Sequence, residues 1–524
     1  MRRLGLACIV TVALATTAAA QAPRKGGTLR MTAPYGQSFS SLDMHTTPRA
    51  QDDIYGKVVH RTLYNWNSEK NQVELELASY VDVSADRKTY TYKLREAYFH
   101  NGKRLTADDI IYSYTRLMDS KKAYAGARWA RLIEGAVAVE KGEATMISGL
   151  KKIDDYTLEV KITDKVDPGF YLYNGSTAIY PAGEADKPEF LQKPIGLGPF
   201  KFVEHIPGSR LVAERWDKFY KPVYLDKVII SIMGEAPARD IAFRNKEIDL
   251  SILGPVQYVA YREDPALKNG ILEVAEVFTR HMGMNPEFRP FSDKRVRQAM
   301  NHAIDTDLII KRLVKDKAYR AVSWLPLTVP GFDTTRKPYT YDPEKAKKLL
   351  EEAGYKDGFE FEWSTSQNES WGLPIVEAVI PMLAKVGIKA KVKQMEVSVL
   401  VDAQRKGDYQ AYILSSQTGP DPLAVLKCFH SSTPISACGH HRMNNAEFDK
   451  LIDDAGQTTD QVKLAELLKK ADGIVYDAAP VWFFNYNKAV MAYQPWVKGL
   501  QANATELTHQ YPEYIWVTEQ SPVK

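Results

Sequence analysis

Cys428, His430, Cys438, His440 and His441 fall within one short stretch of the chain. Thiolates and imidazoles are ligands that zinc prefers, so a metal site is one chemistry open to this cluster. The order C-x-H…C-x-H-H lacks the C-x-x-C knuckle of structural zinc sites. A disulfide from Cys428 to Cys438 is therefore the favoured reading, with a metal site at the histidines as its rival. Catalytic motifs are absent: there is no G-x-x-x-x-G-K-[ST] phosphate loop, no H-E-x-x-H, no G-x-S-x-G and no G-x-G-x-x-G. Gly196-Leu197-Gly198 comes nearest to the last, but Pro199 and Phe200 follow it, which reads as a turn into a strand. Asp108 with Asp109 and Asp453 with Asp454 are paired acids, yet neighbours on a helix diverge by about 100° and cannot flank one bond. Both pairs are expected on solvated helix faces. Trp324, Trp363, Trp482, Trp496 and Trp516 are expected in packing. Trp371 is expected at a ligand, because its polar turn, Gln367 to Gly372, joins a strand to a helix where open α/β folds hold their sites.

The elements that would position these residues alternate strand and helix without internal repeats or low-complexity stretches. Apolar alternation marks strands at Tyr90, Tyr92 and Leu94, at Leu158, Val160 and Ile162, and at Ile388, Ala390 and Val392. Thr106 with Asp109 forms a capping box ahead of Ile110, Tyr114 and Leu117. Asp342 and Pro343 open a helix whose left-handed stop falls at Gly354. Ile375, Val379, Met382 and Val386 predict a helix over 374–386, kinked at Pro381, that passes through Gly387 into the next strand. This is the helix-to-strand step of a mixed α/β sheet.

A chain of 524 residues, 44% hydrophobic, can bury a large core and suggests two to four compact units. A net charge of +4, scattered along the chain, speaks against a nucleic-acid partner. Arg2 and Arg3 precede an apolar run from Leu4 to Leu14 and small residues from Ala15 to Ala20, the pattern of a secretory signal peptide over 1–20. Ala18-x-Ala20 predicts a mature chain beginning near Gln21 in the periplasm. The run is shorter than the ~20 residues needed to span a bilayer, and Cys8 does not stand where a lipoprotein box would need it. Removing the leader removes Cys8 and leaves two cysteines bound for an oxidising compartment, which strengthens the disulfide reading.

Segments along the whole mature chain resemble one family. They are GGTLRM from Gly26, TPRAQDDIYGKVVHRTLY ending at Tyr64, FHNGKRLTADDIIYSYTRLMD from Phe99, IGLGPFKFVE from Ile195, MNPEFRPFSDKRVRQAMNHAID from Met284 and YDPEKAKKLLEEAGY from Tyr341. The chain is identified by them as a member of family 5 of the extracellular solute-binding proteins, the periplasmic dipeptide-, oligopeptide- and nickel-binding proteins of ABC importers. The resemblance implies an α/β, two-lobed periplasmic binding protein fold, type II-like, with an extra subdomain inserted in the first lobe. Lobe 1 would comprise 21–280 plus 489–524, with the inserted subdomain at about 66–184, and lobe 2 would comprise 281–488. Crossings near Arg280 and Lys488 would form the hinge, and lobe closure would bury the ligand.

The resemblance also implies a ligand-binding set of Tyr35, Asn368, Trp371, Gln417, Thr418, Gly419 and Asp421, and it places a disulfide at Cys428 and Cys438 as some dipeptide binders do. In those binders an aspartate ahead of an Asp/Glu-Pro pair meets the ligand's α-amino group, and an arginine early in the helix after the Trp371 turn holds its carboxylate. Here Thr418, ahead of Asp421-Pro422, stands at the first position and Leu373-Pro374 at the second. A buried ligand charge without a partner costs several kcal/mol. Simple dipeptides are therefore expected to bind weakly, unless an acid such as Asp421 has taken over the amine. The implied function is capture of a peptide-like or other small polar solute (peptide, opine, modified amino acid or glycoside) by a monomer without cofactor, for delivery to ABC permease subunits. A nickel or metal-chelate receptor using His430, His440 or His441 is the alternative within the class. A secreted hydrolase is the alternative outside it, and no catalytic constellation speaks for one.

Overall fold

Two four-stranded sheets and one seven-stranded sheet carry the chain, with two short two-stranded ribbons, Tyr64–Asn67 with Gln72–Leu75 and Val497–Lys498 with Trp516–Val517. The computed structural model describes residues 22–33, 39, 41–46, 50–368, 371–418, 421–435, 438, 443–458 and 460–523. The expected leader at 1–20 and its junction with Gln21 lie outside these residues, as do Tyr35, Gly419, His440 and His441. Among the described residues, no helix is long and apolar enough to cross a membrane.

The first sheet runs Thr28–Thr32, Lys227–Ser231, Arg210–Arg215, Phe200–Ile206, parallel at the first pair and antiparallel thereafter. Leu29, Val228, Ile230, Leu211 and Phe200 share a core with Ile54, Tyr55 and Val58 of the helix Ala50–Val59. Trp496, Val497, Ile515 and Val517 from the C-terminal tail pack into the same core, so the end of the chain returns to its beginning. Gly196 and Gly198 lead into the Phe200 strand as expected. A Cβ on either would come within 1.9 Å of the Val59 carbonyl oxygen or 2.5 Å of that of Val58, so the close approach to the helix end requires glycine.

The second sheet, Ala78–Val83, Thr89–Leu94, Thr157–Lys161, Leu150–Asp154, is wholly antiparallel. Tyr90, Tyr92, Leu94, Leu158, Val160 and Ile162 are buried under the helix Ala107–Leu117, which the Thr106–Asp109 capping box opens. The expectation of a solvated Asp109 is corrected here: its side chain is fully buried, held by Lys103 Nζ at 2.6 Å, by the Thr106 amide and by the Ala182 amide. The cap position draws it inward, while Asp108 faces solvent and pairs with Lys152. Asp453 and Asp454 are exposed as expected.

The third sheet has seven strands, ordered Leu250–Ile252, Val481–Tyr493, Ile271–Met284, Ala411–Gln417, Glu360–Thr365, Lys389–Gln394, with Ala318–Arg320 also paired to Val481–Tyr493. Met282, Trp363, Trp482 and Phe484 fill one face against the helices Lys294–Ala303 and Leu373–Ala384. Trp324, Phe429, Phe483 and Tyr486 fill the other against Ala446–Gln457 and Gln461–Ala478. Asp342 caps Pro343–Glu352, and Gly354 has a φ of +86° just beyond its end. The Lys389–Gln394 strand departs from alternation at Val392, which is 39% exposed because this is an edge strand. The two long strands, Ile271–Met284 and Val481–Tyr493, pair over most of their length, but the ladder breaks between Ala275 and Thr279 and again between Arg280 and His281.

Candidate functional site

The carboxyl ends of neighbouring strands gather most of the sequence-predicted residues. Glu360–Thr365 runs parallel to Ala411–Gln417, pairing at Trp363–Ala411 and Ser364–Tyr412, and Asn368 and Trp371 follow the first strand as Thr418 and Asp421 follow the second. Asn368 shapes its turn by accepting hydrogen bonds from the Trp371 amide at its side chain, 3.2 Å, and from the Gly372 amide at its carbonyl, 2.9 Å. Gly372 is obligatory there, since a Cβ would sit 2.2 Å from the Ser366 carbonyl oxygen. Trp371 is half-buried against Leu400, Tyr409, Tyr412 and Leu414. Its tryptophan companions Trp324, Trp363, Trp482, Trp496 and Trp516 are buried in packing.

Thr418 is fully buried, its hydroxyl 2.8 Å from that of Thr279 and its amide donating to the Val277 carbonyl at 2.8 Å. Its polar groups are thus directed at the long strand where the ladder breaks. Asp421 caps the helix Pro422–Lys427 through Oδ1, accepting from the Leu423 and Ala424 amides at 3.0 and 3.1 Å. Desolvation lifts its pKa to about 6, and Asp167, from the segment after the second sheet, adds to the rise. Cys428 and Cys438 form a disulfide with Cα atoms 5.0 Å apart. Sulfurs so joined cannot act as thiolate ligands, and no group of three metal-competent side chains occurs among the described residues. His430 turns its Nδ1 to the Ser432 hydroxyl at 2.8 Å, with Asp449 and Asp453 beyond its Nε2 at 3.7 and 3.6 Å.

Beside these loops lies a cavity of about 180 Å³ to which sequence reasoning assigned no residue. Phe278, which lines it, pairs in register with Gln417, so the cavity adjoins the Thr418 loop. Asp53 and Lys57 enter from the first helix, Trp66, Arg128, Trp129, Tyr173 and Asn174 from the region of the second sheet, and Asn503 to Tyr511 from the tail. Aromatic and polar groups share the wall: Trp66 donates its amide to the Tyr511 hydroxyl at 3.1 Å, and Lys57 Nζ lies 5.3 Å over the Tyr511 ring. Burial pushes Lys57 down from the usual ammonium range against the pull of Asp53. Glu506 is raised to about 7, by burial first and then by Glu276. Glu276 itself is buried in the ladder break, accepting from the Leu507 amide at 2.6 Å and from the Asn487 side chain. The break, the tail and the cavity wall are therefore one hydrogen-bonded unit, extended by the Val277 amide donating to the Ala504 carbonyl at 2.9 Å. A wall of aromatic faces and convergent polar groups suits a small organic molecule, and among the described wall residues no nucleophile is poised beside a base.

Residues 72–437 match the model for bacterial extracellular solute-binding proteins, family 5 Middle, over well more than half of the chain. The chain belongs to this family. Heme-binding protein A of Haemophilus influenzae is 29% identical over 473 residues, covering 84% of each chain. The dipeptide-binding protein of Escherichia coli is 26% identical over 459 residues, covering 81% of this chain and 82% of its own. An ABC transporter-associated periplasmic binding protein of Helicobacter pylori, solved with the peptide STSA, superposes with a TM-score of 0.77 at 24% identity, covering 94% of this chain and 98% of that one. The fold shared with it is the two-lobed α/β fold of periplasmic binding proteins. As a member of family 5 the chain is a solute-binding protein, and the members of this family are binding proteins rather than enzymes.

Proposed function

We propose that this chain is the periplasmic receptor of an ABC importer, without catalytic activity, that captures a peptide-like or other small polar solute between two lobes and passes it to permease subunits. The observation that carries the reading is the cavity between the helix Ala50–Val59, the Arg128–Trp129 region and the C-terminal tail, walled by lobe 1 residues and adjoining the Gln417–Thr418 strand end of lobe 2, against which closure would bury a solute. In this reading residues 1–20 are an export leader, lobe 1 is 21–280 plus 489–524 with an inserted subdomain at about 66–184, and lobe 2 is 281–488. The crossings near Arg280 and Lys488 serve as the hinge in this reading, and the ladder shifts register between Arg280 and His281. Related proteins named for dipeptides, and a related fold solved with a peptide, support a peptide-like ligand.

Two features argue against a simple zwitterionic dipeptide. Thr418 stands where an amine-binding aspartate would be expected, and its hydroxyl is already engaged by Thr279. Leu373 and Pro374 open the helix where a carboxylate-binding arginine would be expected. Calorimetric titration of wild type and Thr418→Asp with dipeptides tests this. Weak wild-type binding and a gain of affinity in Thr418→Asp are expected. Tight wild-type binding that requires a free α-amino group would show that Asp421 or another acid has taken over the amine.

A further inference from the structure

A second cavity, of about 380 Å³, lies where the ribbon Tyr64–Asn67 with Gln72–Leu75 meets the C-terminal tail. Its volume falls within the roughly 300 to 1,000 Å³ of small-molecule sites. It shares only Trp66 and Tyr511 with the cavity beside the Thr418 loop, so these two side chains divide the two spaces. Both of its walls are braced. On the ribbon side Asn67 accepts from the Glu69 and Lys70 amides at 3.1 and 3.0 Å and donates to Glu74 at 2.8 Å. On the tail side the Gln510 side chain accepts from the Gln501 amide at 2.8 Å and donates to the Gln501 carbonyl at 2.7 Å.

Among the described wall residues there is no Lys, Arg or His, while Glu69 and Glu74 are acids without an ion-pair partner. Lys221 Nζ lies 5.9 Å over the Tyr514 ring but is engaged by Glu76 at 2.7 Å. Three wall residues carry a buried polar atom without a hydrogen-bond partner: the Asn65 side-chain oxygen, the Trp66 indole nitrogen and the Ser68 hydroxyl. The first accepts, the second donates and the third does both, and each is costly to leave unmatched. An anion in this space is repelled by the two glutamates. An ammonium leaves the indole N–H unmatched. A hydroxyl both donates and accepts, so a ring bearing several hydroxyls suits all three atoms. The rings of Trp66, Tyr511 and Tyr514 offer apolar surface to the C–H groups of such a ring.

We propose that this cavity is a second binding site, separate from the solute cavity, for a neutral, hydroxyl-rich ring: a free mono- or disaccharide. The test is calorimetric titration of the exported full chain with glucose, N-acetylglucosamine and lactose, beside glucosamine and glucuronate as charged counterparts. At least one neutral sugar should bind at one site per chain, and glucuronate should bind about tenfold or more weakly than glucose. In Glu74→Gln that ratio should fall to within about threefold; because it is taken within one variant, a loss of folded protein does not mimic it. Ala502→Trp, which fills this cavity, should weaken sugar binding about tenfold or more, whereas Asn174→Trp, which fills the other, should leave it unchanged. No binding of any neutral sugar up to about 10 mM overturns the site, as does tighter binding of glucosamine than of glucose. Sugar binding kept in Ala502→Trp and lost in Asn174→Trp also overturns it, and makes the sugar a solute of the first cavity. Tripeptide binding is read separately, so none of these outcomes bears on the receptor reading.

Discussion

Glu506 shows how burial tunes single groups around the cavity. Its pKa is raised from 4.5 to about 7 by desolvation and by Glu276. An acid raised in the folded state binds its proton more tightly there than in the unfolded chain, so it contributes stability at low pH that is lost as pH climbs through the folded value. The chain should lose roughly 1 to 3 kcal/mol from this group alone between pH 4.5 and about 7. Denaturant unfolding at pH 5 and pH 8 should show that loss in wild type and a clearly smaller one in Glu506→Gln. Equal losses would mean that Glu506 is solvated. At the same scale, the candidate residues were only half legible in the sequence. Trp371 came from its polar turn, Asn368, Thr418 and Asp421 came from the family pattern, and all four follow the ends of two neighbouring parallel strands. Arg128, Trp129 and Glu506 carry no motif, because a cavity wall assembled from distant segments leaves no spacing to read.

Elements were more legible wherever local chemistry decides them. The capping box at Thr106, the Asp342-Pro343 start and the glycine stop at Gly354 all stand where the side chains place them. Reading failed where tertiary position overrides the local pattern: Asp109 is drawn inward by its cap, and Val392 is exposed because its strand ends the sheet. The Cys428–Cys438 disulfide bridges the end of the Pro422–Lys427 helix and a loop 10 residues on. Replacing both cysteines with serine should cost about 2 to 4 kcal/mol, read as a lower denaturation midpoint that reducing agent reproduces in wild type. Unchanged midpoints would mean that the loop is held by its other bonds, such as the Ser431 amide to Asp449 at 3.0 Å.

For the whole molecule, two long strands and a returning tail do the organising. Ile271–Met284 and Val481–Tyr493 run between the Leu250–Ile252 edge and the strands that end at Thr365 and Gln417, and the tail packs on the Leu29 core. The bulged ladder at Ala275–Thr279 puts irregular backbone beside the cavity, next to Phe278 and the tail residues bonded to Glu276 and Val277. In the proposed receptor, a ligand that touches both sides of such a break would favour the closed arrangement by its differential contacts. Calorimetry on wild type and Asn174→Trp, whose indole would fill the cavity, tests this most directly, with circular dichroism showing that both are folded. Tripeptides should bind wild type at one site per chain and lose about tenfold or more in affinity in Asn174→Trp. Equal affinity in the two proteins would show that solute is captured elsewhere.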